Sequence, residues 1–145
     1  MTEIGFYHLT RSSLAQALPQ LLARTLAAGH RAFVLGKDTE SIAALSDALW
    51  SYSAWLPHGM PDDGDAELQP IWLSTEPVPL NGARYLFLTG GAEAALGGYD
   101  RVFDLFDGTD VAQTQAARER WRTARSAGHL LTYWQQTEAG WQKKA

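Results

Sequence analysis

Short apolar runs alternate with helix-period segments along nearly the whole chain, and this alternation restricts the possible folds more than any single motif does. EIGFYHL (3–9), RAFVLG (31–36), PIWLST (70–75), RYLFLT (84–89) and YDRVFDLF (99–106) have strand length and strand composition. HLLTYW (129–134) reads as a last strand or extended segment. Ser12 or Ser13 caps a first helix that carries Leu18, Leu21, Leu22 and Leu26 on one side, is interrupted in its first part by Pro19 and stops at Gly29. SIAALSDALW (41–50) forms a second helix after Asp38 or Thr39, with Ile42, Leu45 and Leu49 inward. A third helix covers 110–127, capped by Asp110 and stopped by Gly128. The expected fold is therefore a single α/β domain over residues 1–145, a mostly parallel sheet flanked by helices. Between the second helix and the third run, SYSAWLPHGMPDDGD breaks the pattern: an extended piece near Ala54–Leu56 leads into a Pro/Gly/Asp loop.

A chain of 145 residues with 46% hydrophobic and 19% charged residues can bury a sizeable core and is not of disordered composition. No apolar run approaches the roughly 18 residues of a membrane span. The start, MTEIGFYHLT, lacks a basic region followed by an apolar one, so a cytoplasmic protein is the simplest expectation. With no cysteine, disulfides and thiolate metal sites are excluded.

Enzyme and cofactor motifs are tried in turn. A phosphate loop needs a glycine-rich turn ending in Gly-Lys-Ser/Thr; here LGKDTES sets Asp38 after Gly36 and Lys37, a negative charge against any phosphate. TGGAEAALGG (89–98) pairs its glycines at the wrong spacing for a dinucleotide fingerprint. His8, His30, His58 and His129 fit no metal spacing. His58 stands near Asp62, Asp63 and Asp65, yet the loop lacks a calcium-binding array, and a structural turn at Pro57-His58-Gly59 with His58 bonded to backbone is the simpler account. No G-x-S-x-G elbow is present. No catalytic residue, metal or cofactor is expected.

Charge is distributed unevenly. The net charge is −4, yet Arg118, Arg120, Arg122 and Arg125 oppose only Glu119 within eight positions, and DDGDAE (62–67) forms the acidic counterpart. At 100° per residue from Trp121, Ala117 and Ala124 fall on one flank within roughly 60° and Arg118 and Arg125 on the other, with Arg122 farther round. The alanines can lie on a sheet while the arginine flank meets water. Trp121 then belongs either to the core or to a half-buried anchor with one open ring face. A solvated face and an acidic-ligand site both fit. Arginine forks suit carboxylates and an indole face suits an apolar group, so a short acidic peptide with a hydrophobic end would satisfy both, with micromolar, salt-weakened binding. Direct binding of single-stranded nucleic acid is the alternative, with bases stacked on Trp121 or Trp134, although the acidic total opposes it. A second concentration of aromatics, Trp50, Tyr52 and Trp55 with Leu56 and Met60, either closes the core or docks a protein.

In order and spacing, FYHL near the start, ALW closing the second helix, WLPHG, and the late RERWRTARSAG helix resemble the chi subunit of bacterial DNA polymerase III. The resemblance covers nearly the whole chain. It implies a nucleotide-binding-like α/β fold without a phosphate loop and a non-catalytic adaptor of the clamp-loader assembly in DNA replication, reaching DNA only indirectly. It further implies two partners: the psi subunit and the acidic C-terminal tail of single-stranded DNA-binding protein. The tail site would match Arg118, Trp121 and Arg122, with Arg125 added from helix geometry. Thr114 stands where a further basic residue is common in the family. The psi surface would match Trp50, Trp55 and Leu56, with Tyr52 and Met60 as neighbours.

Overall fold

The apolar runs become adjacent strands because each is hydrophobic on both faces and so must be covered on both. In a computed structural model, which describes residues 2–145, the elements are β1 (Glu3–Leu9), α1 (Leu14–Ala27), β2 (Ala32–Leu35), α2 (Thr39–Trp50), β3 (His58–Gly59), β4 (Ile71–Ser74), β5 (Tyr85–Thr89), β6 (Arg101–Asp107), α3 (Val111–Ser126), β7 (Leu130–Thr137) and β8 (Gly140–Lys143). All eight strands join one sheet, ordered β3-β4-β2-β5-β6-β1-β7-β8. Every pairing is parallel except that of β7 with β8. The expected α/β architecture is present.

Two hydrophobic layers enclose the sheet. On one face Leu18, Leu21 and Leu22 of α1 and Ile42, Leu45 and Leu49 of α2 pack over Val34, Phe87 and Phe103. On the other, Ala117 and Ala124 of α3 lie against a cluster that includes Ile4, Phe6, Leu88 and Phe106. Small residues at these two positions let α3 approach the sheet closely. Each helix starts where a side chain takes up its unpaired amides. Ser13 and Gln16 cap α1 reciprocally, Asp38 accepts from the Ser41 amide at 2.7 Å, and Asp110 accepts from the Gln113 amide at 3.1 Å. After α3, Gly128 takes φ 84°, which a side chain would resist, and turns the chain into β7.

Three local expectations are corrected. Pro19 does not interrupt α1, which runs through it. The carbonyl that loses its partner is that of Ala15, an exposed residue, so water can bond it. The segment Ala54–Leu56 leads into an edge strand, His58–Gly59, where a structural turn is expected at Pro57-His58-Gly59. Leu56 turns into the core, and His58 is held by its own bonds, Nδ1 to the Leu56 carbonyl at 2.7 Å and Nε2 to Ser46 Oγ at 2.9 Å. The backbone bond expected of His58 exists, within a strand rather than a turn. The last strand extends to Thr137 and returns as β8, a hairpin that the polar stretch QQTEAGWQKK does not signal.

Candidate functional site

Helix α3 crosses the sheet over β1, β6 and β7 and leaves a cleft of about 330 Å³ along one side, lined by Phe6, Phe106, Thr114, Ala117, Arg118, Trp121, Arg122 and Tyr133. Trp121 is its anchor. The indole meets Phe6 edge-on, with ring centroids 5.2 Å apart, and Tyr133 at 6.0 Å. It is thus half-buried, one side against the sheet and one side on the cleft. Arg118 and Arg122, one turn apart, are exposed at the rim. The Thr114 hydroxyl already donates to the Asp110 carbonyl at 2.9 Å.

The four arginines of this helix have different surroundings. Arg120 turns inward, where its Nε and Nη2 hold the two oxygens of Asp104 at 2.6 and 2.9 Å. Burial pushes the Asp104 carboxyl above the usual carboxylate range; Arg120 opposes that rise through its hydrogen bonds and charge, and Glu93 adds to it. Arg122 pairs with Glu119 on the helix surface. Among the described residues Arg118 and Arg125 form no ion pair. Arg125, a turn farther on, is exposed and does not line the cleft with the other three expected residues. The dense positive run in the sequence thus becomes a rim of moderate charge beside an apolar, aromatic floor.

The cleft's back wall was not visible in the sequence. Tyr133 closes it, backed by His8: the phenol oxygen lies 2.5 Å from His8 Nδ1, and the imidazole stacks on Phe106 at 5.0 Å. Burial raises the Tyr133 pKa, against the nearby positive charge of Arg118. Alternation along β1 and β7 assigns Phe6, His8 and Tyr133 to the α3 face, but only the fold brings residues 125 positions apart into contact.

The second expected surface is divided. Trp50 and Trp55 stay exposed at 58% and 73%, with ring centroids 5.7 Å apart. Tyr52 is half-buried against the core. Leu56 is 3% exposed and is a core residue, so it is no part of a docking face. Met60 faces a different cleft, with Ile42, Val78 and Leu80.

A third feature concerns nucleotides. The amides of Thr10, Arg11 and Ser12, after β1, all donate to Gln136 Oε1 at 3.0, 2.9 and 3.1 Å. Sheets of this kind bind phosphate groups at such a strand end; here the chain's own β7 side chain takes the donors. Among the described residues no group of three or more His, Asp or Glu side chains is placed to hold a metal ion, and no helix is long and apolar enough to cross a membrane.

A protein-family model described as DNA polymerase III chi subunit, HolC, matches residues 1–132. The chain belongs to the DNA polymerase III chi family. It is also similar to a protein of Rickettsia prowazekii (strain Madrid E) described as a probable DNA polymerase III subunit chi, at 25% identity over 97 residues. That match takes in 66% of this chain and 59% of the relative's length. The chi-family match ends inside β7, before Tyr133 and before the Gln136 that fills the amide nest.

Proposed function

We propose that this chi-family chain is a non-catalytic adaptor in DNA replication, linking the DNA polymerase III clamp-loader assembly to the acidic C-terminal tail of single-stranded DNA-binding protein. The observation that carries the reading is the α3 cleft, where Arg118 and Arg122 border an aromatic floor of Trp121, Phe6 and Phe106. An acidic segment ending in an apolar side chain would use both parts, the side chain against the rings and the carboxylates against the guanidinium forks. Each exposed arginine contributes about 1 kcal/mol or less, so the buried apolar anchor sets the affinity and the arginines set charge and register.

The psi subunit is the proposed partner of the Trp50–Trp55 pair, the strongest exposed aromatic feature outside the cleft. Direct binding of single-stranded nucleic acid is the weaker reading. Arg120 is sequestered by Asp104 and Arg122 is paired with Glu119, which leaves no continuous basic track on α3.

Charge reversal tests the assignment. Arg118→Glu and Arg122→Glu should each abolish binding of an acidic tail peptide while leaving the melting temperature within a degree or so of the parent. Retention of tail binding in both variants would move the site elsewhere. A mobility shift with bare single-stranded DNA, present without the tail-bearing protein and lost in Arg118→Glu, would favour the nucleic-acid reading instead.

A further inference from the structure

We propose that the Tyr133 hydroxyl, set in place by His8, is a specificity-determining contact of the α3 cleft, donating to the terminal carboxylate of the ligand that Arg118 also holds. The proposal rests on the reading of that cleft as an acidic-tail site and adds what distinguishes a free carboxyl end from a blocked one.

Three observations support it. First, Tyr133 stands on the cleft wall with Arg118, close enough for the guanidinium charge to act on the phenol. A carboxylate seated between them would receive a charge-assisted bond from each side. Second, the phenol is not free to swing. Its oxygen is 2.5 Å from His8 Nδ1, and its ring lies edge-on to both the imidazole at 5.8 Å and Trp121 at 6.0 Å. The imidazole is fixed in turn: it stacks on Phe106, and the space beside it exists because residue 108 is glycine, where a Cβ would run into the ring and lie 2.8 Å from the Leu9 carbonyl. Third, neutral donors are scarce on the rest of the wall. Phe6, Phe106 and Ala117 carry no side-chain donor and the Thr114 hydroxyl is committed to its own helix, which leaves the Trp121 indole N–H as the one other neutral donor among the lining residues.

The hydrogen bookkeeping decides how the donor becomes available. When Nδ1 accepts, the phenol hydrogen points at the imidazole. When Nδ1 carries the hydrogen, it donates to the phenol oxygen, and the O–H turns into the cleft. A bound carboxylate supplies the acceptor that the second arrangement needs and so selects it. His8 then acts as a positioning residue, touching no ligand itself. A terminal amide brings no charge to Arg118 and a poorer acceptor to Tyr133.

The test uses the intact protein and two forms of one acidic peptide with an apolar last residue, one ending in a free carboxylate and one in an amide. Calorimetric titration of the parent should favour the free acid by about 10-fold or more, since bonds to a charged acceptor exceed neutral ones. Tyr133→Phe should cost about 10-fold for the free acid and little for the amide, reducing the acid-to-amide ratio. His8→Phe should reduce that same ratio, a change that loosened packing alone would not produce, because loosening weakens both peptides equally. Should Tyr133→Phe keep the parental ratio while Arg118→Glu abolishes binding, the proposal is overturned and the cleft reading stands. Should the parent bind neither peptide, both fall.

Discussion

Arg120 and Asp104 face each other across the α3–sheet interface as a two-bond ion pair, with the carboxylate 2% exposed. Removing the cation would leave a buried charge with no partner, which typically costs about 3–5 kcal/mol. Arg120→Met should therefore destabilise the fold by that order in urea denaturation. Asp104→Asn should cost less, roughly 1–3 kcal/mol, because the Arg120 side chain is partly exposed and can find water. The pH dependence has a definite sign. With its pKa raised on folding, Asp104 contributes stability that is fully present below the unfolded carboxylate value of about 3.9 and is lost as pH rises through the folded value. In Arg120→Met that loss should widen, since the opposing charge is gone.

Asp107 behaves in the opposite sense. The hydroxyl and amide of Thr109 both donate to it, at 2.6 and 2.9 Å, and hold its carboxyl below the ordinary range. Its contribution is present above the unfolded value of about 3.9 and lost as pH falls through the lowered one. Asp107→Asn should lower stability slightly in the neutral region, where the carboxylate contributes, and flatten the acid limb below about pH 4 so that variant and parent converge there. An unaltered acid limb would contradict this.

The aromatic loop after α2 should respond unequally along its length. Leu56→Ala removes a core side chain and should cost about 2–4 kcal/mol. Trp55→Ala, at 73% exposure, should cost under about 0.5 kcal/mol while weakening capture of a psi partner. Denaturant midpoints of the two variants measure the first contrast, and co-purification with psi measures the second.

Gly108→Ala addresses the cleft from behind. The added Cβ would displace the His8 ring, and with it Tyr133, without touching α3. Tail affinity should fall several-fold although no cleft-lining residue has changed. A variant that folds and binds like the parent would show that His8 has no influence on the cleft.

Much of α3 could be read from the sequence because its determinants are local. Asp110, Gly128 and the 100° geometry of Ala117, Trp121 and Ala124 specify a capped helix with an alanine face inward. By the same geometry Arg120 lies on the alanine side, which signals an inward arginine, yet its partner sits sixteen residues earlier on another element. Composition alone therefore overstates the positive charge that this helix offers. The inward position of Leu56 is not legible because an irregular loop has no period from which to read it. The β8 return is hidden for a different reason: only Trp141, packing edge-on against Tyr7 at 5.1 Å, marks an apolar side in an otherwise polar tail. His8, Tyr133 and Gln136 act through contacts that span most of the chain, and no local pattern announces such pairs.

The most direct measurement of the central claim is a calorimetric titration of the protein with an acidic peptide copying the single-stranded DNA-binding protein tail, at low and high salt. Binding through the α3 cleft predicts one-to-one, near-micromolar affinity that weakens with salt and disappears when the terminal apolar residue is deleted. Absence of binding at either salt, or binding indifferent to that deletion, would contradict it.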